Sequence, residues 1–205
     1  MKFLIAIGSK EYSGPTLKLG MRVARAFGAD VTIAYVGEKI SSFSTSEVLM
    51  AQENLDNWEV NRRGVDVLEW AYKILKDQKY IEVEKLDEGI GENSLVQTDD
   101  DRCEVFLKGT QSDEVKLILR NGEIISQLRG EVSRSEIDIT IIGGSQKRRM
   151  AHNLIQYIDS SIFVVNKYDL NQKYKILIAV DDSPNTRKAV KYGTRVSQAF
   201  NVPVE

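Results

Sequence analysis

The chain predicts an α/β fold, a doubly wound five-stranded parallel sheet with an inserted β-hairpin. Three observations lead there. Short, branched apolar runs alternate with stretches of helical period, the pattern of strands joined by crossover helices. Glycine and serine turns punctuate the runs. The opening strand–helix–strand pattern is also written twice, without a gap, 173 positions apart, as the step from Lys2 to Lys175 shows.

The repeat fixes the first elements. Leu4-Ile5-Ala6 falls on Leu177-Ile178-Ala179, Lys18 on Lys191 and Gly20 on Gly193. Arg22-Val23 falls on Arg195-Val196, Ala26-Phe27 on Ala199-Phe200 and Val31 on Val204. A repeat this long marks a duplicated domain, because solenoid units are about 20 to 50 residues. Phe3 to Ile7 is an apolar run of the kind buried on both faces of a sheet. Gly8-Ser9 breaks it, and Ser13-Gly14-Pro15 reads as a turn. From Thr16, Leu17, Met21, Ala24 and Phe27 recur at helical spacing, and Gly28 supplies a stop. Val31 to Val36 is the second strand, parallel and adjacent to the first through a right-handed crossover.

Beyond it, Lys39 to Ser46 reads as a loop and Ser44 to Glu47 has capping-box spacing. A long helical region is expected from about Glu47 to Gln78, with Gly64 as a bend or break. Tyr80 to Lys85 alternates weakly, as a strand does. Asp87 to Arg102 is an acidic, glycine-containing loop; its three consecutive aspartates lack the alternation that cation loops use, so a solvated loop is expected. Glu104 to Lys108 and Val115 to Arg120 read as a hairpin whose second member continues into the sheet. Ile124, Ile125, Leu128 and Val132 mark a short amphipathic helix. Ile137 to Ile142 is strand-like, Gly143-Gly144-Ser145 breaks it, and a helix follows from about Met150 to Ile158. Ile162 to Val165 is the last strand of the unit. The expected organisation is a unit over residues 1–169 with its insertion at about 80–115. Residues 170–205 are a linker and the start, strand and helix, of a second unit. Its apolar residues, among them Ile176, Ile178, Val196 and Phe200, need a partner surface.

Composition narrows the function classes. The formal net charge of −2 offers no strong pull on nucleic acid or anionic membrane, so neither is an expected partner. No apolar run approaches the roughly 20 residues that span a bilayer. The first residues enter a strand directly, and Cys103 is the only cysteine; a reducing cytoplasm is expected. One histidine, His152, and one cysteine cannot build a zinc set, and no P-loop pattern is present.

These pieces, in this order, resemble the universal stress protein family, whose fold is adenine nucleotide alpha hydrolase-like. Ile178-Ala179-Val180-Asp181-Asp182-Ser183 resembles that family's first strand and its Asp-x-Ser turn. Phe27 to Thr32 and Ala34-Tyr35-Val36 resemble the end of its first helix and its second strand. Ile137 to Gly143 resembles its fourth strand, and Ser161 to Val165 its last. The resemblance implies candidate nucleotide-contacting positions at Gly8, Ser9, Val36, Gly143, Gly144, Ser145, Asp181 and Ser183, with ATP as the candidate cofactor.

The first unit departs from the family's binding pattern. Gly8 stands where the second copy has the acidic Asp181. Gly143 fits the first glycine of the loop Gly-x2-Gly-x9-Gly-Ser/Thr, but Gln146 replaces the second. Arg148-Arg149 stands where the Gly-Ser/Thr pair belongs. The resemblance therefore implies a regulatory or binding module rather than an enzyme, with no cofactor expected in the first unit. It would act as a scaffold in stress response through a homodimer, tandem-unit packing or an unknown protein partner. The alternative is an adenine-nucleotide binder, at most a slow ATPase. Family members pair their last strands, which points to Ile162 to Val165 as a dimer edge.

Overall fold

Phe3, Leu4 and Ile5 are completely buried, as a run of branched apolar residues in the middle of a covered sheet must be. They belong to β1 (Lys2–Ile7) of a computed structural model that describes residues 1–37, 64–82, 96–99, 102–144, 148–166, 169 and 172–205. The chain continues through α1 (Lys10–Phe27), β2 (Asp30–Gly37), α2 (Val65–Asp77), β3 (Val96–Asp99), β4 (Arg102–Leu107) and β5 (Val115–Asn121). It then forms α3 (Ile124–Ser135), β6 (Ile139–Gly143), α4 (Arg148–Tyr157), β7 (Ser161–Val165) and α5 (Pro184–Phe200).

Among the described residues the sheet has seven strands in the order β3-β4-β5-β2-β1-β6-β7. Strands β5, β2, β1, β6 and β7 run parallel. Strands β4 and β3 are added antiparallel at the β5 edge. The sheet is therefore mixed, the expected inserted hairpin being paired into its edge, and larger than expected. Part of the enlargement comes from residues 96–99 and Arg102, which read as acidic loop. They pair along β4 with a register shift between Gln97 and Asp99.

The helices cover the two faces. Leu17, Met21 and Phe27 of α1 and Leu68, Ala71 and Leu75 of α2 pack with Phe3, Ile5 and Ile33. On the other face, Leu128 and Val132 of α3 and Leu154 of α4 pack with Leu4, Ala34 and Ile142. Alternate residues of β1 thus feed opposite layers.

Two helix starts differ from the sequence expectation. Helix α1 begins at Lys10, not Thr16, because Ser9 caps it through Tyr12 N (3.4 Å), and the Ser13 hydroxyl accepts from Gly8 N (2.9 Å) and Ser9 N (3.1 Å). Pro15, one turn in, forfeits only one intrahelical bond. Helix α2 begins after Gly64, whose φ of 102° a side chain would resist and whose Cβ would strike the Tyr35 ring. The helix therefore does not run through Gly64; residues 47–63 of the expected long helix lie outside the described residues, as do 83–85 of the weak strand. Ile81 makes only an isolated bridge to Gly109.

A buried ion network fastens the added strands to α3. Arg102 of β4 donates from Nε and Nη2 to the two Glu131 oxygens, both at 3.1 Å, and from Nη1 to Thr98 Oγ1 at 2.6 Å. Glu104 lies 2.7 Å from Arg102, and Arg120 of β5 donates twice more to Glu131. Burial pushes the Glu131 carboxyl up, but the hydrogen bonds and charge of Arg102, with Arg120 and Ser135, outweigh it and hold the group below its ordinary value. Breaking such a pair by removing one member costs about 3–5 kcal/mol, because a buried charge is left alone.

The duplicated stretch repeats its local structure. Gly28 and Asn201 both end their helices in the left-handed region, at φ 56° and 51°. Ala29 N donates to Ala24 O at 3.1 Å, and Val202 N to Ser197 O at 3.1 Å. Phe3 pairs with Val31 in parallel, and Ile176 with Val204. Helix α5 lies against α1. Tyr192 meets the Phe27 ring edge-on with centroids 5.7 Å apart, and Arg195 Nε donates to the Ala26 carbonyl oxygen at 3.0 Å.

Candidate functional site

Connections leave β1 in one direction toward β2 and β5, and return on its other side to β6 and β7. The chain order therefore reverses between β1 and β6. Such a switch point opens a crevice at the carboxyl ends of the strands, because the two crossover helices diverge there.

A cleft of about 530 Å³ occupies this place. Its floor is made by Ala6 and Ile7 of β1, Ala34 and Val36 of β2, and Ile142 and Gly143 of β6. One wall is the first turns of α1, from Ser9 to Thr16; the other is Ile124 and Leu128 of α3 with Leu154 of α4. Its volume is that of a small-molecule site, roughly 300–1,000 Å³. The wall is chiefly apolar, with the polar groups gathered at the α1 end.

Five of the positions singled out in the sequence, Gly8, Ser9, Val36, Gly143 and Gly144, line this one cleft. They converge because each ends a strand or follows one. Glycine is needed at two of them. A Cβ on Gly143 would come within 2.9 Å of Thr16 Oγ1, and one on Gly144 would collide with Asn166 Oδ1. Ser145 lies outside the described residues. Asp181 and Ser183 do not line the cleft; they form the turn before α5.

Three backbone donors at the rim, Gly8 N, Ser9 N and Gly144 N, are already engaged. Ser13 Oγ takes both Gly8 N and Ser9 N. Gly144 N donates to Val165 O at 2.6 Å. The α3 N-terminus is closed by its own capping residue: Glu123 accepts from Ile125 N (3.1 Å) and Ser126 N (2.7 Å). A carboxylate there takes the place an anion would occupy at a helix start. Lys10, beside the cleft, pairs with Asp66 at 2.8 Å. The hydrogen bond from Lys10 holds the Asp66 carboxyl below its ordinary value.

Asp181 is likewise committed locally. Its Oδ1 accepts from Ser183 N at 2.9 Å and from the Thr186 hydroxyl, while Asp181 N donates to Thr186 Oγ1 at 3.1 Å. The hydrogen bonds from Ser183 and Thr186 lower its pKa to about 2. The geometry is that of a turn-and-cap aspartate. Among the described residues no group of three or more His, Cys, Asp or Glu side chains could hold a metal ion. His152 is exposed on α4 and is not among the residues that line the cleft. No helix of the described residues is long and apolar enough to cross a membrane.

Three polar residues that shape this region carry no motif. Glu123 directly precedes Ile124 and Ile125, and its role follows only from where the helix starts. Arg102 and Glu131 are 29 positions apart and meet through the sheet. A signal for Glu131 does exist: it shares the inward face with Leu128 and Val132, where a carboxylate needs a buried cation.

No protein-family model and no curated protein matches the chain. Solved structures do. The hypothetical protein MJ0577, whose biochemical function was assigned from its structure, superimposes with a TM-score of 0.50 at 16% identity, over 82% of this chain and 96% of that one. Universal stress protein UspA from Lactobacillus plantarum gives a TM-score of 0.50 at 12% identity, over 80% of this chain and 97% of that one. A universal stress protein in complex with cAMP gives 0.49 at 12% identity, over 80% and 96%. At the 16% and 12% identity of the first two the likeness is one of architecture: this chain has the α/β fold of the universal stress proteins.

Proposed function

We propose that the protein is a universal stress protein-like binding and regulatory module of the cytoplasm whose first unit, residues 1–169, does not hold ATP in that family's manner. One observation carries this reading. The backbone donors at the phosphate end of the cleft, Gly8 N, Ser9 N and Gly144 N, are taken by Ser13 Oγ and Val165 O. A triphosphate would have to break these bonds and lie beside Glu123. The module then acts as a scaffold rather than an enzyme, with residues 170–205 as the start of a second unit. Its homodimer would form along the edge strand β7, where Val164 is exposed.

A second reading is favoured by the position and size of the cleft: an adenine-nucleotide binder with slow ATPase activity at most. A thermal melt with millimolar ATP and Mg²⁺ separates the two. A ligand at about 100 times its Kd adds about 2.7 kcal/mol, which raises Tm by about 5–10 °C in a chain of this size. The scaffold reading expects a shift under about 1 °C on the same scale. A shift of several degrees, lost in Gly144→Val, would replace it with the nucleotide reading. Sedimentation at high concentration checks the dimer; a monomer there would remove that part.

A further inference from the structure

Helices α1 and α5 carry one motif, Arg-Val-x-x-Ala-Phe, at Arg22–Phe27 and Arg195–Phe200. In the folded chain the two motifs meet, and they meet reciprocally. The Arg22 guanidinium lies over the Phe200 ring, 4.2 Å from its centroid. The Arg195 guanidinium lies over the Phe27 ring, 5.1 Å from its centroid. The arginine of each copy stacks on the phenylalanine of the other. Contacts in which position i meets j and j meets i are the mark of a two-fold axis, and of a surface complementary to itself. The reciprocal pairs place the axis near Val23, which is 2% exposed, and Val196, which packs against the same core.

The apolar stripes match as well. Leu19, Val23 and Phe27 run along α1 at steps of four; Tyr192, Val196 and Phe200 run along α5 at the same steps. Residues four apart share a helix face, and the Phe27–Tyr192 ring contact joins the two stripes. Phe27 remains anchored beneath by Phe3, with ring centroids 5.5 Å apart, so the α1 face does not depend on α5 for its shape.

We propose that the outer face of α1 is a self-complementary docking surface whose partner is a second copy of the same Arg-Val-x-x-Ala-Phe helix. Here α5 supplies that helix within the chain. When α5 is displaced, α1 of a second copy of the chain takes its place across the same axis. The stacking pairs of the present contact are regenerated in that dimer: Arg22 of each copy on Phe27 of the other. This surface is separate from the cleft and from β7, so it stands whichever reading of the cleft holds.

The test uses the full chain with α5 altered and α1 intact: Tyr192→Ser, Arg195→Glu and Phe200→Ser together. Hydrogen exchange reports whether α5 is released, and sedimentation velocity reports mass against the unaltered chain. Each stacked cation of this kind corresponds to about two- to fivefold in a local opening equilibrium, so with both pairs lost α5 amides should exchange about five- to thirtyfold faster. The mass should rise toward twice that of the unaltered chain as concentration increases, and Arg22→Glu added to the triple variant should return it. Released α5 with unchanged mass overturns the proposal. So does unchanged exchange in α5, or a larger mass that Arg22→Glu does not reverse. Should the triple variant fail to fold, single Arg22→Glu and Arg195→Glu variants test the reciprocity. Both should speed α5 exchange to a similar degree, and an effect from only one of them overturns the two-fold contact.

Discussion

The two copies of the repeated stretch share their turn, helix and C-cap but have opposite surroundings. The strand Lys2–Ile7 has only the isolated Ile176–Val204 bridge as its counterpart, not the strand expected there. Leu4 is completely buried, while its counterpart Leu177 is 77% exposed. Ile7 is 4% exposed and its counterpart Val180 67%. Helix α1 buries Leu17, Gly20, Met21, Val23, Ala24 and Phe27, while α5 buries no residue. Yet both helices end in a left-handed residue, both tie their first turn with a Ser or Thr hydroxyl five positions on, and both pair their flanking segments in the same register. The repeat therefore encodes the hydrogen-bond pattern of turn, helix and C-cap. Burial is set by what the neighbouring strands and helices place around it.

That contrast yields its largest test at Ile5 and Ile178, which are equivalent in the repeat. Ile5→Ala should cost about 2–5 kcal/mol, since the buried side chain leaves a cavity. Ile178→Ala should leave the global melt within about 1 °C, on a scale of about 2–4 °C per kcal/mol. Equal losses in the two melts would mean that the second copy shares the core of the first.

Gly20 and Gly193 come next. A Cβ on Gly20 would approach Ile5 Cδ1 to 2.9 Å, and one on Gly193 would approach Ile178 Cδ1 to 2.7 Å. The local crowding is the same, but Ile5 has Ile141 behind it and Ile178 is half-exposed. Gly20→Leu should destabilise by about 1–3 kcal/mol, the usual cost of overpacking. Gly193→Leu should be absorbed by movement of Ile178, with the global denaturation midpoint unchanged. A global loss from Gly193→Leu would refute the claim that burial separates the copies.

The caps give a smaller effect. Gly28→Ala places a Cβ in the left-handed region at a cost of about 1 kcal/mol. Asn201→Gly should instead tighten α5 by a few tenths of a kcal/mol, seen as slower amide exchange in its last turn.

The smallest effect is one of pH. Asp181 holds its pKa at about 2, below its ordinary 3.8. A depressed carboxyl contributes fully above its unfolded value and loses that contribution as pH falls through the folded one. The turn before α5 should therefore loosen between about pH 4 and 2, and Asp181→Asn should abolish the dependence. At the equivalent position Gly8 has no carboxylate to accept those hydrogen bonds. Amide shifts of Ser183 and Thr186, followed against those of Ser9 and Ser13, would show the difference; parallel movement in both turns would rule it out.

Much of the architecture was legible because it rests on short-range pattern. The apolar runs at Phe3, Val31 and Ile139, the helical period of α1 and the glycine after Phe27 each need only neighbouring residues to be recognised. The start of α1 was not, since Ser13-Gly14-Pro15 reads as a turn unless the hydroxyls of Ser9 and Ser13 are known to bind the freed N–H groups. Strand β3 was hidden by composition: its four residues are all exposed, so no alternation marks it. In the cleft, Gly8, Ser9, Val36, Gly143 and Gly144 were nameable from their places after strands. That their donors are spent on Ser13 and Val165 was not, because Gly144 meets Val165 only through strand pairing. Arg102 and Glu131 escaped notice for the same reason.

The edge addition has a further consequence. Strand β3 is antiparallel to β4, and β4 to β5, so two reversals return the chain to its original heading before β5. An insert with an even number of reversals leaves the direction of every later strand untouched. The switch point lies beyond β5, β2 and β1, and the Arg102–Glu131 clip anchors the insert to α3. Outward of that clip, β3 can therefore lengthen or shrink while every strand around the crevice keeps its direction.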